Sequence, residues 1–163
     1  MLAKQDPIYD VFISTPMAAW NDNVAYKRHR EEILNIRDHL KRECKFKKIF
    51  YAGDEISDVE DFDAKDISAK DDFEALQASK YLFFIYPEKL ASGALVEVGA
   101  AIAHGIPSLF LVPDRKTLPF ILEQADEALN FIKIYEVSGI NQIVNLIKRH
   151  GCSLFPANNP TSG

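Results

Sequence analysis

The sequence predicts an α/β domain in three layers: a five-stranded parallel sheet with helices on both faces. Three observations predict it. Five short, apolar, β-favouring runs recur along the chain. Segments with helical spacing alternate with them, and that alternation implies a parallel sheet covered on both sides. The size also suits one domain, since 163 residues with 47% hydrophobic and 26% charged content bury most of their apolar surface without a staple. A single domain is therefore expected over residues 8–150, with loose ends at 1–7 and 156–163.

The first strand is Tyr9-Asp10-Val11-Phe12-Ile13-Ser14, stopped by Thr15-Pro16. A loop leads to a helix over Asn23 to Glu43, where Ile33, Ile36 and Leu40 share one face and Asn21 or Asp22 is the N-cap. The basic run Lys27-Arg28-His29-Arg30 reads as a solvated helix face with a lesser claim to phosphate. Lys48 to Ala52 gives a second strand, Glu55 to Lys65 an acidic loop with at most a helical turn, and Asp66 to Ser79 a helix. Tyr81 to Tyr86 is the strongest strand signal in the chain.

A loop and then a helix from Gly93 to His104 follow. Gly105 is placed as the C-terminal glycine and Pro107 blocks continuation. Ser108 to Val112 is the fourth strand, Leu118 to Ala128 a helix, Asn130 to Val137 the fifth strand and Ile140 to His150 the last helix.

Composition narrows the function classes. A net charge of -5 argues against binding a nucleic-acid polymer, which needs a basic stripe. No apolar run approaches the ~20 residues of a membrane span, and no signal-peptide pattern opens the chain, so a cytoplasmic location with no membrane partner is expected. Cys44 and Cys152 have no metal-ligand spacing; they suit free thiols in a reducing compartment, with a disulfide left open. No Walker loop, GxGxxG or HExxH occurs, and neither metal nor cofactor is expected.

Ligands of such sheets sit beyond the carboxyl ends of the strands, where strand order reverses. That points to the loops Ser14 to Asn23, Gly53 to Lys65 and Pro87 to Ser92. Ser14, Thr15 and Pro16 offer hydroxyls and amides there. Ser92-Gly93 opens a helix whose free N–H groups favour an anion. Glu97 lies one turn into that helix. A lone helical glutamate is most often a surface ion pair, but Leu95, Val96 and Val98 leave little of this helix polar. A desolvated carboxylate is a way to tune acid–base or nucleophilic strength. Asp71 and Asp72, on the preceding helix, could supply a second carboxyl with a different protonation state.

The motif order resembles a family. Val11-Phe12-Ile13-Ser14-Thr15-Pro16, the helix with Asp72, and Ser92-Gly93-Ala94-Leu95-Val96-Glu97-Val98-Gly99-Ala100-Ala101 running on to Ala103-His104-Gly105-Ile106-Pro107 are similar to the nucleoside 2-deoxyribosyltransferase superfamily, with its 2'-deoxynucleoside 5'-phosphate N-hydrolases. The resemblance spans Tyr9 to Val112 and is most specific at Glu97 to Pro107. It implies a flavodoxin-like fold, cleavage of a base–sugar bond in a small nucleoside or nucleotide, and a homodimer or larger homo-oligomer. Glu97 takes the nucleophile's position, Asp72 (or Asp71) that of the base-side acid, and Ser92 with Ser14 or Thr15 that of the 5'-phosphate ligands.

Three departures stand out. Phe12 replaces the family's usual Tyr, Thr15 its small Gly, and the Asp expected before the catalytic helix is missing from Pro87 to Ala91. A base-sized apolar crevice is expected between Ser14–Trp20 and Ser92–Glu97, walled by Trp20 or Met17. A second resemblance, of Tyr9 to Ser14, is to Toll/interleukin-1 receptor domains, some of which hydrolyse NAD with a helix Glu; the Trp-Cys pair that often precedes that Glu is missing. A protein-interaction module without chemistry is the third reading.

Overall fold

A computed structural model describes residues 6–17, 20, 22–61 and 65–157. It is a three-layer α/β sandwich of the flavodoxin-like kind. The strands are β1 (Tyr9–Ser14), β2 (Ile49–Tyr51), β3 (Ser79–Ile85), β4 (Ser108–Val112) and β5 (Ile132–Glu136). The helices are α1 (Asn23–Cys44), α2 (Lys65–Gln77), α3 (Gly93–Ala103), α4 (Ala125–Ala128) and α5 (Gly139–His150). All strand pairs are parallel, in the order β2-β1-β3-β4-β5. The order reverses between β1 and β3, so the crevice rule points at the carboxyl ends of those two strands.

Side-chain alternation along the strands divides the core. Val11, Ile13, Phe83, Ile85, Leu109 and Leu111 point to the layer of α1 and α5, where Ile33, Ile36, Leu40, Ile143 and Ile147 meet them. Phe12, Leu82, Phe84, Phe110 and Val112 point the other way, onto Leu76 of α2 and Ala94, Val98 and Ala101 of α3. With both faces covered, the strands are near-continuous apolar runs rather than alternating ones.

Local chemistry sets the helix ends. Asp22 caps α1 by accepting the Ala25 N–H at 2.7 Å, while Asn21 and the extreme termini lie outside the described residues. Ser92 caps α3 through the Ala94 N–H at 3.2 Å. At the far end of α3 the Ile106 N–H reaches the Ala101 carbonyl and the Gly105 N–H that of Ile102, with Gly105 at φ +64. That pair of bonds is the Schellman closure, and the positive φ explains the glycine.

Two expectations change. The helix over Leu118 to Ala128 is instead a 3-10 turn at Phe120–Leu122 followed by the four-residue α4. Its apolar residues do not share a face: Leu118 and Ala125 are buried, whereas Phe120 and Ile121 are 91% and 84% exposed. The Arg115 guanidinium takes the Asp126 carboxylate at 2.6 and 2.7 Å and the Glu123 carbonyl at 3.1 Å, fixing the segment as a folded loop. At the other end, Leu154, Phe155 and Pro156 are buried, so ordered packing continues beyond α5. Phe155 meets the rings of Phe46, Tyr81 and Phe83.

Candidate active site

Ser14 ends β1 with its side chain on the α2/α3 side, because it keeps the parity of Phe12. Its hydroxyl donates to the Glu97 carboxylate in a short hydrogen bond. Glu97 reaches it because α3 approaches closely: Ala94 and Ala101, one turn either side on the same stripe, are buried and small. Glu97 is half-buried, and burial pushes its carboxyl up to about 7. The Ser14 bond works against that rise and the nearby Asp72 charge adds to it.

Asp72 comes from α2, which packs against α3. It precedes the fully buried Leu76 by one turn and so faces inward, half-buried, whereas Asp71 is exposed. Burial, with Asp71 beside it, raises Asp72 to about 6. Two carboxyls that each disfavour charge, and disfavour it more when the other is ionised, titrate as a pair.

Thr15 has the opposite parity. It is buried, and its hydroxyl lies 2.8 Å from His29 Nε2 in α1. Burial holds His29 down at about 4, so this imidazole is neutral at ordinary pH. Trp20 lies on that ring at 4.9 Å and donates its indole N–H to the Pro16 carbonyl at 2.7 Å. His29 is therefore not part of the solvated basic face expected of Lys27 to Arg30. The signal was present: stepping back from Ile33 by four and then three residues gives His29 and Tyr26, both buried on the same stripe. The rest of the run is engaged at the surface, with Lys27 on Asp58 at 2.7 Å, Arg28 on Glu32 at 3.5 Å and Arg30 on the Gly53 and Asp54 carbonyls at 2.7 Å.

The expected crevice wall is also rearranged. Met17 packs into the α1/α5 core and Trp20 lies on His29 of α1, so neither is described in contact with α3. Ala18 and Ala19, in the same loop, lie outside the described residues. A cavity of about 160 Å³ opens instead between α1 and α5 at the carboxyl ends of β3 to β5, lined by His29, Ile33, Ile85, Leu111 and Ile143 among others. Glu97 does not line it.

Ser92 is half-buried and Gly93 exposed at the start of α3, with open space around the Gly93 Cα. The Ser92 oxygen accepts the Ala94 N–H, which leaves its own O–H free to donate. Tyr86 fixes the preceding loop, its hydroxyl accepting from Leu90 N–H at 2.9 Å and donating to the Leu90 carbonyl at 2.5 Å. Phe12 is buried and stacked on Phe50 at 5.0 Å, a packing role with no polar atom to offer Glu97. Among the described residues no group of three His, Cys, Asp or Glu side chains is arranged to hold a metal ion. Nor is any helix there long and apolar enough to cross a membrane.

Comparison with known proteins adds one finding. No family model matches the chain, and no curated protein does. A crystal structure of a conserved protein from Enterococcus faecalis is similar, with a TM-score of 0.50 and 19% identity over 85% of this chain and 96% of that one. The likeness shows the fold.

Proposed function

We propose that the protein is an N-glycosidase or deoxyribosyltransferase that breaks the base–sugar bond of a nucleoside or nucleotide. The observation that carries this reading is the Ser14–Glu97 hydrogen bond at the switch point of the sheet, with Asp72 as a second inward carboxyl. The reacting form is the minor tautomer of the singly protonated pair, with the proton moved from Glu97 to Asp72: the ionised Glu97 attacks the anomeric carbon while Asp72 delivers its proton to the departing base. Water or a second base then displaces Glu97 from the sugar, and two inversions give net retention. Ser14 orients the nucleophile and steadies its charge, the task a Tyr in place of Phe12 performs in the family this sequence resembles. Ser92 and the first amides of α3 face the 5'-phosphate.

Product analysis tests it. Incubation with a panel of nucleoside monophosphates, deoxynucleotides and NAD is expected to release free base, and E97Q to lower the rate roughly a thousand-fold or more. D72N is expected to cost about 100-fold or more, as for a lost general acid. Release of nicotinamide alone would favour the NAD-hydrolase reading. No release, with E97Q binding nucleotide as tightly as wild type, would leave a binding module. One observation favours that last reading as runner-up: Trp20 is committed to His29 rather than to a wall beside Glu97.

We include self-association in this reading. Val96, Gly99 and Ala103 leave the outer stripe of α3 exposed and apolar next to Glu97. Sedimentation of the purified chain as a monomer at all concentrations would remove that part.

A further inference from the structure

Cys44 closes α1, and Cys152 lies 108 residues further on, in the turn Gly151–Leu154 after α5. The fold brings them together because α1 packs against both α5 and that turn on one face of the sheet. The Cys152 thiol donates to the Cys44 carbonyl oxygen at 3.0 Å, and it is close enough to the Cys44 thiol to oppose its ionisation. The backbones are equally close: a Cβ on Gly151 would stand 3.3 Å from the Glu43 carbonyl oxygen. Cys152 is exposed and Cys44 buried directly behind it. An exposed thiol backed by a buried one is the arrangement of an attacking and a resolving cysteine.

We infer that Cys44 and Cys152 form a reversible intramolecular disulfide when the protein meets a peroxide. The Cys152 thiolate attacks hydrogen peroxide: an S–O bond forms, the O–O bond breaks, and hydroxide leaves and is protonated to water. Cys44 then gives up its proton and attacks the Cys152 sulfur, forming the S–S bond as the S–O bond breaks and a second hydroxide leaves as water. Two thiols are oxidised and one peroxide is reduced to two waters. Burial holds the Cys44 thiol up at about 12, so the exposed Cys152 is the cysteine that meets the oxidant first.

The cross-link staples the 151–156 segment, with the core residues Leu154 and Phe155, to the end of α1. It also closes a 108-residue loop, which removes entropy from the unfolded chain.

The test uses the full chain treated with hydrogen peroxide, quenched by alkylation and read by intact mass and non-reducing peptide mapping. The expected product is a monomer lacking two hydrogen atoms, with one cross-linked peptide pair joining Cys44 to Cys152. Its melting temperature is expected to rise by several degrees and to return with dithiothreitol. C152S, altered only at an exposed position, is expected to show neither the mass change nor the shift. A sulfenic-acid probe is expected to label Cys152 in a C44A variant. The inference is overturned if wild type keeps two alkylatable thiols, over-oxidises at Cys152, or cross-links only between molecules.

Discussion

Ser14 and Thr15 are consecutive, yet their hydroxyls serve opposite layers: one meets Glu97 in α3, the other His29 in α1. Strand alternation imposes that division. Glu97 stands at about 7 and Asp72 at about 6, so between those values the two carboxyls hold one proton, mostly on Glu97. Base release that needs one carboxylate and one carboxylic acid is therefore expected to follow a bell with its maximum between about pH 6 and 7. S14A removes the bond that favours the Glu97 charge, so its alkaline limb is expected to move to higher pH and its maximum to fall in the same assay.

The same groups set stability. Glu97 is raised in the folded state, so its contribution is fully present below about pH 4.5 and lost as pH rises through 7. His29 is depressed, so its contribution is present above about 6.5 and lost as pH falls through 4. In wild type the two slopes oppose each other. E97Q is expected to be more stable than wild type at pH 8, by on the order of 1 kcal/mol after allowing for partial solvation. Denaturant titrations at pH 5, 6.5 and 8 would check this, and equal stability of both proteins at every pH would contradict it.

At the scale of the element, the end of β2 shows how tightly one turn is built. Tyr51 folds back over Gly53, where an added Cβ would stand 2.5 Å from the ring carbon and the hydroxyl. The Tyr51 ring is buried in the α1 layer and has little room to withdraw. Its hydroxyl is buried with no hydrogen-bond partner among the described residues, and Arg30 clamps the Gly53 and Asp54 carbonyls from α1. G53A is expected to cost about 1–3 kcal/mol through overpacking. Y51F is expected to be neutral or stabilising, because it deletes a polar atom whose burial is uncompensated. Thermal unfolding of the two variants separates these effects. β1 and β4 were legible residue for residue, as continuous apolar runs cut off by Pro16 and Pro113. α4 was not, because its span contains enough apolar residues for a helix but they do not fall on one face once folded.

On the scale of the whole molecule, the segment after α5 closes the α1/α5 core. Phe155 enters the α1/α5 core among Phe46, Tyr81 and Phe83, and Lys133 on β5 donates to the Ser153 and Phe155 carbonyls at 3.2 and 3.4 Å. F155A is expected to destabilise by about 3–5 kcal/mol, as for other large-to-small changes in a packed core, and chemical denaturation would measure it. No local pattern marks Phe155 for this place, since its aromatic partners lie scattered from Phe46 to Phe83.

Apolar periodicity alone determined five strands, the long helices and a parallel sheet, because those patterns are local and repeat within a few residues. Motif order singled out Ser14, Asp72, Ser92 and Glu97. Only the tertiary structure decided which of these meet. It joined Ser14 to Glu97, turned Asp72 inward and Asp71 outward, sent Trp20 to His29, and set Cys152 against Cys44. Each of those pairings depends on crossovers and on which face of the sheet a side chain takes, and no local pattern carries that information.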